Sequence, residues 1–338
     1  MAPLFPDHSG CRSLNMNQSR HLTVSSSAIL AAALLLLAAA VPDARAQEET
    51  EREEEFSYVH GKENGPEHWG AIKQEWAACG TGRMQSPINL SDQRVSLVCS
   101  LGYLKHSYRA AEASIINRGH DIMVKFKGNT ESLVINGTAY NLLQVHWHTP
   151  SEHTINGRRY DLELHMVHQS AANKTAVIGI LYKVGGPDEF LCKMEPFLKL
   201  IANQKDREEP IGIVDPCNAL GRAYAYYRYM GSLTTPPCTE GVIWTVVREV
   251  RSVSKYQLQL LREAVHDGFE NNARPLQELN SRDTSLFKPF KALVFDSIGV
   301  STEDNEDVVG DVAQTLFEGL LGRVETFGAV AAMPLGWT

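Results

Sequence analysis

The chain has 338 residues, 43% of them hydrophobic, with a formal net charge of −8 and twelve histidines. An acidic balance without a basic stripe excludes an ordinary nucleic-acid binder. The length allows one large β-rich domain, a class that often reaches about 200–250 residues.

Residues 28–41 read AILAAALLLLAAAV, with Arg12 and Arg20 before them and Ala44-Arg45-Ala46 after. Basic residues, an apolar run and an A-x-A site in that order predict a signal peptide over residues 1–46. The run is shorter than the ~20 residues a membrane-spanning helix needs, so no stable membrane span is expected. Secretion to the extracellular space is the expectation. A plastid transit peptide, with delivery to the chloroplast stroma or thylakoid lumen, is the alternative. Residues 47–55 carry six glutamates and read as a solvated acidic arm. A folded domain is expected over 56–296. Residues 297–338 turn acidic and then small and apolar, and read as a poorly ordered extension.

Cysteines Cys79, Cys99, Cys192, Cys217 and Cys238 follow the leader, and none forms a CxxC pair. An odd number leaves at least one free or paired between molecules. Sequons at Asn89, Asn136 and Asn173 are candidate glycosylation sites and fit an exported chain.

From residue 86 to 244 short apolar segments alternate with Gly, Asn and Pro. Strands are predicted over 114–117, 121–126, 132–135, 141–148, 160–168 and 176–184. The turns Asn136-Gly137 and Asn156-Gly157 are strong hairpin signals. Frequent strands without alternating long helices predict a mainly β, mostly antiparallel sheet. Two short helices are expected. One covers residues 190–200; the other starts at Ser254, where Ser254 and Gln257 form a capping-box pattern before Leu258, Leu261 and Val265.

Five histidines crowd into 23 residues: His146, His148, His153, His165 and His168. Residues two apart on a strand share a face, so His146 and His148 point one way. Across the Asn156-Gly157 turn the next strand puts Glu163, His165 and Val167 on one face. His165 thus completes a three-nitrogen site, leaving one tetrahedral zinc position open, the arrangement of a catalytic site. Gln144 and Glu163 lie two residues from a ligand, where each can accept the ring's other N–H. The spacing His146-x-His148-xxx-Glu152 also matches half of a cupin motif, with Glu152 as a manganese or iron ligand. The leading glycine of that motif is replaced by Tyr140, and its second half is missing.

Several separated motifs resemble the α-class carbonic anhydrases, in particular secreted plant-like members, over residues 58–279. They are Asn64-Gly65-Pro66-Glu67-His68-Trp69, Gln85-Ser86-Pro87-Ile88-Asn89, Asn117-Arg118-Gly119-His120, the block from Gln144 through Ser151-Glu152-His153-Thr154, Glu163-Leu164-His165, and Ser232-Leu233-Thr234-Thr235-Pro236-Pro237. The resemblance implies one domain built on a large twisted sheet with short surface helices. It implies reversible hydration of carbon dioxide to bicarbonate by zinc-bound hydroxide, with Zn2+ on His146, His148 and His165. Thr234 would orient the hydroxide and hand its own proton toward Glu152. His120 would shuttle protons, with Tyr58 in the same solvent network, and Thr235 would contact bicarbonate. Val167, Val177, Leu233, Val242 and Trp244 would form the apolar wall for carbon dioxide. A disulfide between Cys79 and Cys238 is implied too. Arg118 and Met123 depart from the family pattern. A catalytically silent storage or binding relative on the same scaffold is the alternative function, and a zinc esterase is a second. Neither monomer nor dimer follows from the sequence.

Overall fold

The computed structural model describes residues 55–289 apart from 129, 266 and 267. The leader, all of the acidic arm but Glu55, and the C-terminal extension lie outside the described residues. Eight strands carry the fold: β1 (Ala111–Asn117), β2 (Ile122–Phe126), β3 (Thr138–His148), β4 (Leu162–Ser170), β5 (Thr175–Val184), β6 (Glu208–Val214), β7 (Tyr226–Ser232) and β8 (Glu240–Val247). They run β6-β1-β2-β3-β4-β5-β8-β7 through a sheet that shorter strands widen to thirteen. As expected from composition and turn spacing, the protein is mainly β and the long pairings are mostly antiparallel.

The sheet is nevertheless mixed, since β5 pairs with β8 in parallel. A parallel pair needs a crossover connection rather than a hairpin, and here helix, β6 and β7 all intervene. No motif in the sequence announces that pairing. It sets the site's edge, because it lays Val177 opposite Trp244.

Period-two alternation separates two faces. On β3, Val145 and Trp147 enter one core while His146 and His148 face the other way; on β4, Leu162, Leu164 and Met166 join that same core. On β5, Ala176, Ile178, Ile180 and Tyr182 do likewise, whereas Val177 and Leu181 belong to a second cluster with Leu233, Val242 and Trp244. Helix α1 (Glu189–Ile201) closes the first core with Phe190, Leu191, Met194 and Leu198, and Asp188 caps it by accepting from the Leu191 N–H at 2.9 Å. Each of those side chains contributes about 1.5–3 kcal/mol as it leaves water. Helix α2 (Lys255–Ala264) has the complete capping box at Ser254 and Gln257. The fold therefore sets the histidines of β3 and β4 on a surface braced from behind by a packed apolar layer.

Cys79 and Cys238 are bonded across 159 residues of chain. A loop that long contributes up to about 5 kcal/mol by chain entropy. Among the described residues Cys99, Cys192 and Cys217 are free thiols, two more than the odd number requires.

Candidate metal centre

The β3–β4 register puts His165 opposite His146 and Glu163 opposite His148. Three ring nitrogens converge: His146 Nε2 lies 3.1 Å from His148 Nε2 and 3.3 Å from His165 Nδ1. All three rings are buried. A tetrahedral ion with zinc–nitrogen bonds of about 2.0–2.1 Å needs ligand nitrogens roughly 3.3–3.4 Å apart.

The outer nitrogens decide what the inner ones are. His146 Nδ1 donates to Gln144 Oε1 at 2.9 Å. His148 Nδ1 donates to the Asn272 carbonyl at 2.8 Å, and His165 Nε2 to Glu163 Oε1 at 2.9 Å. A neutral imidazole carries one N–H. With that proton spent outward, each ring turns a lone pair inward, and three lone pairs at this spacing repel unless a cation lies between them. Burial holds His146 well below the usual histidine pKa against the opposing charge of Asp121, so the ring stays neutral. The donor set thus fits zinc, and the fit rests on tautomers fixed by neighbours.

Glu163 is fastened on both oxygens. Oε2 accepts from the backbone N–H of Glu152 (2.8 Å) and of His153 (2.7 Å), while Oε1 also accepts from His153 Nδ1 at 2.7 Å. Burial alone would raise its pKa, but His153 and the donated hydrogen bonds hold it well below the carboxylate range. His153 Nε2 continues to Tyr229 Oη at 2.7 Å, and Tyr229 to Ser86 Oγ at 2.8 Å.

Glu152 approaches the rings at their outer nitrogens, 3.7 Å from His148 Nδ1 and 4.0 Å from His165 Nε2. That position is wrong for a fourth ligand and removes the cupin arrangement. Its Oε1 accepts from the Arg274 N–H at 2.8 Å, whereas Oε2 has no hydrogen-bond partner among the described residues. Thr234 and Thr235 are buried in the loop after β7, which is pinned by the Cys238 N–H to Thr235 carbonyl bond of 2.8 Å and by the disulfide. No hydrogen-bond partner of the Thr235 hydroxyl is found among the described residues.

His120 is buried rather than solvated, its ring against Phe56 at 5.5 Å and Phe269 at 6.5 Å between centroids. Burial pushes its pKa down to about 4, opposed by Asp121. Arg118 forms a buried two-pronged ion pair with Asp121, through Nε at 2.7 Å and Nη2 at 2.5 Å. Tyr58 packs its ring on Trp69 at 5.4 Å and on Phe269 at 6.0 Å. Met123 is buried opposite His146. Val177, Leu233, Val242 and Trp244 form one buried cluster, with Val167 packed partly exposed against it. Trp244 meets His165 ring to ring at 4.8 Å.

The sequons differ in setting. Asn136 and Asn173 are exposed turn residues with positive φ. Asn89 is half-buried, its Oδ1 accepting from Thr154 Oγ1 and the Gly157 N–H, both at 2.8 Å.

Three residues escaped sequence reasoning. Asn272 holds His148 and also accepts the Thr149 N–H at 2.8 Å. Arg274 holds Glu152 and reaches Gln85, Ser86 and Cys79. Tyr229, the third, holds His153 Nε2 from 76 residues away.

Comparison with known proteins agrees with this geometry. The family model for eukaryotic-type carbonic anhydrases matches residues 64–286. Alpha carbonic anhydrase 7 of Arabidopsis thaliana is 50% identical over 246 residues, covering 73% of this chain and 90% of that protein. Dioscorin dioA3 of Dioscorea japonica is 49% identical over 243 residues, covering 72% and 90%. A crystal structure of dioscorin complexed with ascorbate superimposes with a TM-score of 0.69 at 50% identity, covering 70% of this chain and 99% of that one. A match that takes in both histidine strands and the threonine loop leaves one assignment: the chain belongs to the eukaryotic-type, α-class carbonic anhydrase family.

Proposed function

We propose that the protein is a zinc-dependent carbonic anhydrase that interconverts carbon dioxide and bicarbonate, with His146, His148 and His165 holding the metal. The observation that carries this reading is the convergence of three ring nitrogens whose outer N–H groups are all spent on fixed acceptors. Zinc supplies a nucleophile at neutral pH by lowering the pKa of water to about 7, the value established for carbonic anhydrase.

The chain's own residues then divide the work. Glu152, with Oε1 occupied and Oε2 open, would accept a hydrogen bond from the Thr234 hydroxyl and so fix which way that oxygen presents its lone pairs. Thr235 offers bicarbonate a hydroxyl that has no other partner among the described residues. Carbon dioxide has no charge to grip, so Val167, Val177, Leu233, Val242 and Trp244 receive it as an apolar wall. His120 carries protons away, as a weak base because burial pushes its pKa down to about 4, and Tyr58 shares its surroundings. Gln144 and Glu163 orient the ligands. Export through the secretory pathway, with glycans on the three sequons, belongs to the same proposal.

A second reading has one specific support. Dioscorins reach 49–50% identity, and one is solved with ascorbate, so a storage or binding role on this scaffold is the competing assignment. Stopped-flow carbon dioxide hydration by the purified protein and its His165→Ala variant, with zinc assayed in both, separates the two. Zinc-dependent hydration that disappears in the variant is expected. A zinc-loaded parent without hydration would overturn the enzyme in favour of the binding protein.

A further inference from the structure

The glycine at 179 has no backbone reason to be there. It lies inside β5, its φ is not among the positive ones, and glycine in a strand interior forfeits packing and entropy. The register sets it directly opposite His165, and the strand order puts β8 on its other side, opposite Val246. A Cβ at this position would lie 2.9 Å from Glu163 Oε1, closer than carbon and oxygen tolerate. Its other neighbours, Val246 Cγ2 at 3.5 Å and Trp244 Cζ3 at 3.7 Å, are ordinary contacts. The missing side chain therefore makes room for one atom.

That atom is the carboxylate oxygen that receives both His165 Nε2 and His153 Nδ1. A free carboxylate would swing aside from a methyl group. This one cannot, because its second oxygen is held by the backbone N–H groups of Glu152 and His153. The group is fully buried, so no water replaces a lost bond. Any yielding falls on the shared oxygen and turns the His165 ring, whose opposite nitrogen is one of the converging three.

We propose that Gly179 is a positioning residue for the metal centre: its absent Cβ forms the cradle that lets Glu163 orient His165. This rests on the reading of His146, His148 and His165 as zinc ligands. It differs from that reading in naming a glycine of the neighbouring strand, with no polar atom of its side chain, as a determinant of metal affinity.

The test is a double-mutant cycle on zinc affinity, read by competition with a chromophoric chelator and repeated with cobalt(II) for its visible spectrum. Gly179→Ala is expected to weaken zinc about 10–100-fold, the range for loss of a ligand's hydrogen-bonding partner. It should also shift the cobalt bands, which a merely looser core would leave in place. In a Glu163→Ala background the same glycine change should cost less than about twofold, since the conflicting oxygen is gone. Equal losses in both backgrounds, or parental affinity in Gly179→Ala, would overturn the proposal while leaving the zinc site intact. Should Gly179→Ala fail to fold, the Glu163→Ala/Gly179→Ala protein is expected to fold. Failure of that protein too would equally overturn it. A parent that binds no zinc would remove the underlying reading itself.

Discussion

His165 and His168 stand three residues apart on β4, both buried, and the fold uses them in opposite ways. His168 has both nitrogens satisfied locally: Nε2 with Tyr108 Oη at 2.7 Å and Nδ1 with the Ala176 carbonyl at 3.2 Å. Tyr108 stacks on it at 5.7 Å, and His106 stacks on Tyr108 at 4.7 Å. His165 satisfies only its outer nitrogen, through Glu163, and aims the other at two histidines in the same state. Burial does not tell a core histidine from a ligand. The partner of the inward nitrogen does.

The comparison breaks most visibly on metal content. His165→Ala should take bound zinc from one equivalent to none, whereas His168→Gln should keep the full equivalent. Elemental analysis after dialysis measures both, and loss of zinc from the His168 variant would erase the distinction.

Protonation sharpens it next. Burial pushes the His168 pKa down to about 4, against an ordinary value of 6.5. Between those values the unfolded chain binds a proton that the folded one refuses. Stability from this residue is therefore intact above pH 6.5 and falls as pH drops toward 4, by about 3 kcal/mol in all. Denaturant titrations of His168→Gln across that window should show a decline shallower by about that amount. An unchanged slope would mean that the buried neutral histidine is not the source.

The smallest effect expected concerns the outer partner. Glu163→Gln keeps a hydrogen-bond acceptor but removes the charge that raises the basicity of His165, and zinc affinity should fall about 10–100-fold. The equivalent loss of the neutral Tyr108 partner, by Tyr108→Phe, should leave zinc affinity unchanged. Chelator competition on both variants checks the pair, and a matching loss in Tyr108→Phe would contradict the assignment.

Much of this was legible in the chain because local signals act over short range. Two histidines two apart and a carboxylate two residues from His165 define one face without any tertiary knowledge, whereas the Asn156-Gly157 turn joins Thr154–Ile155 to Arg158–Arg159 in a separate three-stranded sheet. The helix at Ser254 announced itself through its capping box, and the helix expected over 190–200 spans Glu189–Ile201. What stayed hidden depends on chain segments that meet only after folding. Asn272 touches His148 from 124 residues away, and a backbone carbonyl leaves no trace in sequence pattern. The parallel β5–β8 contact joins strands from distant parts of the chain. Nothing in the sequence pattern marks Gly179, because what it avoids lies on β4.

The most direct test of the account is X-ray absorption at the zinc edge on the purified, metal-loaded protein. Three imidazole nitrogens at about 2.0–2.1 Å and one exchangeable oxygen ligand are the predicted result. A spectrum with sulfur ligands or with six oxygen-rich contacts would contradict it.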